Sequence, residues 1–271
     1  MEFFATLEAI RDESDIPVKL GRLRELATAL DSIAQVSFAP ETPVQPVGNP
    51  SFAKICQIVH GSQVGKRRNL GTTEGRIIFL HALAHIEYSA IDLALDSAYR
   101  FRGLPPQFYE DWFTVALDEA RHFAMLNGLL QKLDSQYGAL AVHTGIHDAM
   151  ARSATSLRRR MAATHRHLEA NGLDAHPELA RKFAGFTDTA ASEIRQALKI
   201  IFDDEIKHVA AGDFWFRYAC ALDGASTDIF TEDVTQAIPG TKFGRKSLNI
   251  SARKQAGFTD SELAALTSHG L

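Results

Sequence analysis

Apolar residues recur at intervals of three and four along most of this chain, which is the period of an amphipathic α-helix. The spacing predicts one or two helices in the first thirty residues, with a shared apolar face: Leu20, Leu23, Leu26, Ala27 and Leu30. Four long helices are predicted further on: 69–99, 106–133, a third that stops at Asn171-Gly172, and a fourth over about 187–222. Strand-like alternation is nearly absent. The pattern therefore predicts an all-α protein built on a four-helix bundle.

Capping residues predict where these helices begin and end. Thr72 or Thr73 is a candidate N-cap of the first long helix, and Pro106 suits the first turn of the second because no N–H is needed there. We expect the second helix to end before Tyr137-Gly138 and the fourth to start at Thr187 or Asp188. A connector is predicted to begin at His176-Pro177, and the fourth helix is predicted to end at Asp223-Gly224.

Prolines at positions 40, 43, 46 and 50 exclude a regular helix over 38–50, so this stretch is predicted to be an extended linker. We divide the chain into three parts: an N-terminal helical appendage with its linker (1–68), the four-helix bundle (69–224), and a C-terminal extension packed on the bundle (225–271). For the extension we predict a short helix, an extended basic stretch over 242–246, and a final helix begun by Thr259 or Asp260.

Composition narrows the class of protein. The 271 residues carry a net charge of −4, which gives no general reason to expect nucleic-acid binding. Cys56 and Cys220 form no Cys-x-x-Cys motif and are expected to be ordinary buried thiols. No secretory signal is recognisable, and no apolar run is long enough for a membrane span. We therefore expect a cytoplasmic protein that does not bind a membrane.

One motif occurs twice: Asp118-Glu119-Ala120-Arg121-His122, and Asp204-Glu205-Ile206-Lys207-His208. Residues three apart share a helix face, so each Glu-x-x-His pair can hold a metal ion from one side. With 15 Glu and 11 His in the chain, chance alone predicts about 0.6 such pairs. The preceding Asp in both copies makes a chance origin much less credible.

Each copy follows a lone glutamate, Glu87 before Glu119 and Glu169 before Glu205. The helical neighbours of Glu87 are apolar: Leu80, Leu83, Ala84, Ala90, Ile91 and Ala94. Apolar faces also surround Glu119 and Glu205, whereas the face of Glu169 is more polar: Ala151, Thr155, Arg158, Ala162 and His165. Buried carboxylates need compensating charge, and two Fe(II) or Mn(II) ions per chain supply it. The predicted ligands are Glu87, Glu119, His122, Glu169, Glu205 and His208.

Three further residues are candidates for supporting these ligands. Asp118 and Asp204 lie about 100° from their neighbouring Glu on the helix, so they suit a hydrogen bond to the free ring N–H of a ligand histidine on the opposite helix. Surface acids are the alternative. His165 lies one turn before Glu169 and is a ligand, a hydrogen-bond partner or a core histidine. His81 and His85 point away from Glu87 and are expected to form a polar outer face or a packing site.

The set Glu87, Glu119-x-x-His122, Glu169 and Glu205-x-x-His208 resembles the ferritin-like di-iron carboxylate superfamily. The Asp-Glu-x-Arg-His form of the first copy resembles its oxygen-activating members. Other stretches resemble an uncharacterised bacterial ferritin-like family that is compared with tRNA-modifying di-iron hydroxylases: 81–87, Asp111-Trp112, Tyr137-Gly138, 169–174, 204–208 and 252–258. The resemblance covers nearly the whole chain from about residue 70. It implies a ferritin-like bundle with extra N-terminal and C-terminal helices.

The expected chemistry is oxidative, because Fe(II) or Mn(II) with open coordination positions binds dioxygen or peroxide. The chain is then expected to be an oxidase or hydroxylase. Glu87 and Glu169 would each bind one metal terminally, Glu119 and Glu205 would bridge the two metals, and each histidine would bind one metal. Its substrate is an unknown small molecule or a tRNA-type molecule. No flavin or nicotinamide motif is present, so the electron donor is expected to be another protein. A ferroxidase, iron-binding or peroxide-scavenging protein remains the alternative, as does a structural bundle with a vestigial site, and a homodimer is left open.

Overall fold

The computed structural model describes residues 2–30, 42–244 and 247–268, and over these residues the protein is all-helical. The α-helices are α1 Phe3–Arg11, α2 Ile16–Leu30, α3 Thr73–Arg100, α4 Pro106–Gln131, α5 Gly145–Arg152, α6 Leu157–Arg160, α7 Glu169–Ala184, α8 Thr189–Asp223, α9 Phe230–Ala237, α10 Ile250–Gln255 and α11 Asp260–Ser268. A π-helical segment, Met161–Leu168, connects α6 to α7. Short 3₁₀ turns cover Ser51–Lys54, Gly61–Gln63 and Thr227–Ile229. Extended pairing within the described ranges is limited to one bridge between Ile58 and Val142.

The chain divides into two compact units, Met1–His147 and Asp148–Leu271. The first contains α1 to α4 and the second contains the helices from α6 to α11. The boundary falls within α5. The division of the chain into the domains 1–68, 69–224 and 225–271 stays a prediction. Part of the linker (38–41) and part of the basic stretch (245–246) lie outside the described residues; 42–50 and 242–244 contain no helix.

The predicted cap of the first long helix is confirmed, because the Thr72 hydroxyl accepts a hydrogen bond from the Gly75 amide at 3.1 Å. Gly75 is required by close packing: a Cβ there would lie 2.2 Å from the carbonyl oxygen of Asn69. Pro106 occupies the first turn of α4 as predicted, and the helix ends at Gln131, two residues before the predicted end. Helices α3 and α4 pack against each other and form the core of the first unit.

Buried ion pairs attach the N-terminal helices to α3. Nη1 of Arg11 lies 2.9 Å from Oδ1 of Asp96. Lys19 of α2 donates to one carboxylate oxygen of Asp92, and the hydroxyl of Ser51 donates to the other. Lys19 and Asp96 are completely buried. Pairing is needed at these positions because an uncompensated buried charge strongly destabilises a fold. The N-terminal segment is therefore held by specific polar contacts as well as by apolar packing.

The prediction for the third long helix was wrong in two respects. The chain turns between α5 and α6, so Ala151 and Thr155 do not share a helix with Glu169. At the other end, α7 continues through Asn171-Gly172 to Ala184 with Pro177 inside it. Pro177 has no N–H to donate to the carbonyl of Leu173, and the side chain of Asn249 donates to that carbonyl instead, at 3.2 Å. A contact distant in sequence thus compensates the missing hydrogen bond.

The connector predicted to begin at His176-Pro177 is wrong, because both residues lie inside α7. The predicted ends of the fourth long helix and the start of the final helix agree with the structure. Helix α8 begins after Asp188, whose carboxylate accepts a hydrogen bond from the Ala191 amide. It ends at Asp223 and is capped by Gly224, which has a left-handed φ of 64°. The final helix α11 begins at Asp260. A short helix, α9, lies between these two as expected.

Among the described residues, α3 is long and apolar enough to pass a length-and-composition test for a membrane span. Its apolar stretch is mostly buried inside the protein, which is the environment of a core helix. The stretch also contains Glu87, a residue that bilayers accept only at considerable cost. The helix is therefore weak evidence for a membrane span.

Candidate metal centre

In the first unit, α3 and α4 bring together three of the predicted ligands. Nδ1 of His122 lies 3.3 Å from a carboxylate oxygen of Glu87 and 3.7 Å from one of Glu119. Candidate ligand atoms of these three residues lie within 4.8 Å of one another. We call Glu87, Glu119 and His122 the first half-site. Such an arrangement of two carboxylate donors and one imidazole donor can hold a divalent metal ion.

The apolar faces predicted around these residues account for the burial of the half-site. Glu119 is 1% exposed and His122 is 0% exposed. The apolar residues on the same faces of the two helices are buried in the core: Leu80, Leu83, Ala84, Ile91 and Ala94 around Glu87, and Trp112, Val115, Ala116, Phe123 and Leu126 around Glu119. Ala90 is half-buried. The half-site is therefore shielded from water. Interactions between charges are strong in such an interior, because its dielectric constant is low.

The two carboxylates of the first half-site need a compensating positive charge. Burial by itself would lower the pKa of His122, but the neighbouring carboxylates of Glu119 and Glu87 outweigh burial and raise this pKa to about 10. In the metal-free protein an imidazolium thus partly balances the two carboxylates. A metal ion at this position would compensate the same negative charge while binding the neutral imidazole.

The second unit contains the other three predicted ligands, on α7 and α8. Glu205 and His208 lie one turn apart on α8, with Nδ1 of His208 4.0 Å from a carboxylate oxygen of Glu205. Glu169 is the first residue of α7, and its Oε1 lies 3.0 Å from Nδ1 of His165. We call Glu169, Glu205 and His208 the second half-site. His208 is buried, and the two glutamates are about one-tenth exposed.

The π-helical segment sets the orientation of Glu169. A π-helical turn takes up about one residue more than an α-helical turn, so each such turn rotates the following residues by roughly 100° relative to an α-helix. The polar face assigned to Glu169 from the sequence assumed a continuous α-helix, and this assumption is wrong for 161–168. His165, which lies within the segment, is buried and contacts Glu169. Of the three roles considered for His165, this contact matches that of a hydrogen-bond partner.

Each of the two aspartates that precede the Glu-x-x-His pairs takes part in an ion pair on its own helix. Oδ1 of Asp118 lies 3.0 Å from Nη2 of Arg121, and Oδ1 of Asp204 lies 2.9 Å from Nζ of Lys207. Asp204 is buried and Asp118 is more exposed. Their hydrogen bonding to ligand histidines on opposite helices remains a prediction.

His81 and His85 form a packing site, the second of the two expected roles, and neither is on an outer surface. Nε2 of His81 accepts hydrogen bonds from the amides of Gly138 and Leu140. His85 contacts the Tyr137 hydroxyl at 2.9 Å and the carbonyl of residue 143 at 2.8 Å. Burial lowers the pKa of both histidines to about 4, so they are neutral at pH 7. Sequence reasoning missed Tyr137 as their partner, since it lies more than fifty residues away.

Fold and half-sites together define an all-helical protein with a buried carboxylate and histidine cluster that could hold a metal ion. The chain belongs to the family described as "Protein of unknown function (DUF455)", whose model matches residues 12–264. A relative from Haemophilus influenzae, described as an "Uncharacterized protein", is 39% identical over 205 residues, which cover 73% of this chain and 69% of the relative. No solved structure matches the chain.

Proposed function

We propose that this protein binds two Fe or Mn ions through its two half-sites and is a ferritin-like carboxylate protein that activates oxygen. The observation that carries the proposal is the buried grouping of Glu87, Glu119 and His122. Two carboxylates and an imidazole in a water-excluded core are costly unless a cation compensates them. The Glu-x-x-His spacing recurs on α8, which supports a second set of ligands of the same chemistry.

In this proposal His122 would hold one ion and His208 the other, and the two carboxylates of each half-site would balance the charge of its ion. When bound, two such ions supply one-electron chemistry and open positions for dioxygen. The chain contributes ligands of fixed orientation and excludes water from the first half-site. The fully buried side chains of Trp112 and Phe123, on the helix that carries Glu119, contribute to this exclusion.

An oxidase or hydroxylase also needs a substrate and a reductant. We propose a small molecule or a tRNA-type molecule as substrate and a separate protein as electron donor, in the cytoplasm, with a homodimer as one arrangement to test. The chain itself has no sequence motif for a flavin or a nicotinamide. A metal-handling protein that only oxidises or binds iron is the competing function.

Metal analysis after anaerobic reconstitution with Fe(II) tests the proposal. We expect about two irons per chain, and loss of iron in Glu119→Ala and His208→Ala with helix content preserved in circular dichroism. Glu178→Ala is the matched control, because Glu178 is exposed and pairs only with Lys182 among the described residues. Fewer than one iron per wild-type chain, or unchanged iron in both ligand variants, would contradict it.

Rapid mixing of the iron-loaded protein with dioxygen separates the two functions. An oxygen-activating enzyme would keep about two irons per chain after exposure to dioxygen and would show a transient change in absorbance. A storage protein instead accumulates many irons per chain as Fe(II) and dioxygen are supplied. Iron counts that rise steadily above two would favour metal handling.

A further inference from the structure

Arg166 is a fully buried cation in the π-helical segment, immediately after His165. Its Nε lies 2.7 Å from Oδ1 of Asp213 on α8, and its Nη2 lies 2.8 Å from Oε1 of Glu262 on α11. Arg217 contacts the same two carboxylates at 2.8 and 2.9 Å. Two arginines and two acids thus form one ion-pair network that includes the C-terminal helix.

The guanidinium of Arg166 also lies against three phenyl rings. Its central carbon is 4.1 Å from the ring centre of Phe258, 4.5 Å from that of Phe230 and 5.2 Å from that of Phe216. Such cation–π contacts gain strength where water is excluded. Phe258, like Glu262, belongs to the C-terminal segment 250–268, so this segment provides both a countercharge and an aromatic surface for Arg166.

Close backbone packing restricts movement around this network. A Cβ on Gly212 of α8 would lie 2.6 Å from the carbonyl oxygen of His165, so the π-helical segment rests directly on the backbone of α8. Gly257 has a φ of +98°, and a Cβ there would lie 2.6 Å from Oδ2 of Asp213. Small residues are therefore required where the π-helical segment and the C-terminal segment meet α8.

From these contacts we propose that Arg166 is a positioning residue: the C-terminal segment, through Glu262 and Phe258, holds Arg166 and keeps the π-helical segment in the register that presents Glu169. The inference rests on the proposed function, in which Glu169 is a ligand. Loss of Glu262 would leave the buried guanidinium with less compensation. The backbone hydrogen bonds of the π-helical segment would then open more often, and each turn that closed again as ordinary α-helix would turn Glu169 away from its position by roughly 100°.

Glu262→Gln tests the proposal against a control on the same helix. Asp260→Asn makes the same charge change two residues earlier, but Asp260 is exposed and pairs with Lys254 at the surface. In metal-free protein, we expect amide hydrogen exchange over 161–170 to be about tenfold faster in Glu262→Gln and unchanged in Asp260→Asn. Glu262→Asp, which keeps the charge, should largely restore slow exchange.

The second readout is iron per chain. We expect Glu262→Gln to retain the first half-site and lose the second, so that iron falls from about two to about one, while Asp260→Asn stays at the wild-type value. Phe258→Leu, which removes the nearest ring and keeps apolar volume, should act in the same direction and serves if Glu262→Gln does not fold. The proposal would be overturned if Glu262→Gln and Phe258→Leu both exchanged amide hydrogens over 161–170 at the wild-type rate. It would also be overturned if exchange became fast while iron per chain stayed unchanged. A wild-type protein that binds no iron would refute the proposed function, whereas the exchange data would still decide the role of Arg166.

Discussion

Nδ1 of His122 lies 3.3 Å from Oε2 of Glu87, so an imidazole of α4 meets a carboxylate of α3 in the core of the first unit. The two residues are 35 positions apart, and pairing of the two helices brings them together. Because the contact joins two different helices, a metal ion bound there would cross-link them. Metal binding should consequently stabilise the folded protein.

Glu87→Gln keeps the shape of the side chain and removes its charge. With Mn(II) at a hundredfold excess over its dissociation constant, wild-type protein should gain about 2.7 kcal/mol and a higher melting temperature. The variant should gain little, since its first half-site has lost a carboxylate. Calorimetry with and without Mn(II) measures this, and Glu74→Gln, an exposed position on the same helix, is the control. Equal shifts in Glu87→Gln and wild type would rule out Glu87 as a ligand.

His81 should make stability depend on pH. Its pKa is about 4 in the folded protein because burial disfavours the charged ring, against an ordinary value of 6.5. The contribution of His81 to the free energy of unfolding is therefore greatest above pH 6.5. It falls by up to about 3 kcal/mol as the pH drops toward 4, because over this range the unfolded chain binds a proton that the folded protein does not. His81→Asn keeps an acceptor for the Gly138 amide and does not titrate. Urea unfolding between pH 7 and pH 4.5 should show a shallower pH dependence in the variant; an identical slope would contradict this account.

The buried pair of Lys19 and Asp92 should be sensitive to loss of one partner. Asp92→Asn leaves the ammonium group of Lys19 buried without its countercharge, so we expect a loss of about 3–5 kcal/mol in the free energy of unfolding. Glu178→Gln breaks an exposed pair with Lys182 and should leave the free energy of unfolding nearly unchanged. Urea unfolding of both variants measures the contrast. Similar small losses in the two would show that Lys19 is hydrated in solution.

Two helix glycines should respond in opposite ways to alanine. Gly172 lies inside α7 with open space around its Cα, so Gly172→Ala should stabilise the protein by roughly 0.5–1 kcal/mol. Gly212→Ala should destabilise it, because the new Cβ would meet the His165 carbonyl. Thermal unfolding of the pair checks both expectations. Destabilisation by Gly172→Ala would indicate that α7 ends there after all, as the sequence alone predicts.

The prediction of the third helix shows where sequence reasoning failed. Asn171-Gly172 and Pro177 are ordinary signals for the end of a helix, and each was interpreted from its immediate neighbours. The deciding contact comes from Asn249, which is 76 residues from Leu173. The π-helical segment 161–168 likewise packs closely against α8 at Gly212, a contact that no local sequence pattern reveals. Burial of Lys19 and His81 has the same origin, since their partners are distant in the chain.

The sequence by itself determined what depends on neighbouring residues: the all-helical class, the caps at Thr72 and Asp188, and the spacing that puts Glu119 and His122 on one helix face. These follow from the helical period and from hydrogen bonds within a few residues of each helix end. Only the tertiary structure decided that His122 meets Glu87 and that a π-helical segment precedes Glu169. Both depend on how helices pack, because packing joins residues that sequence spacing leaves unrelated.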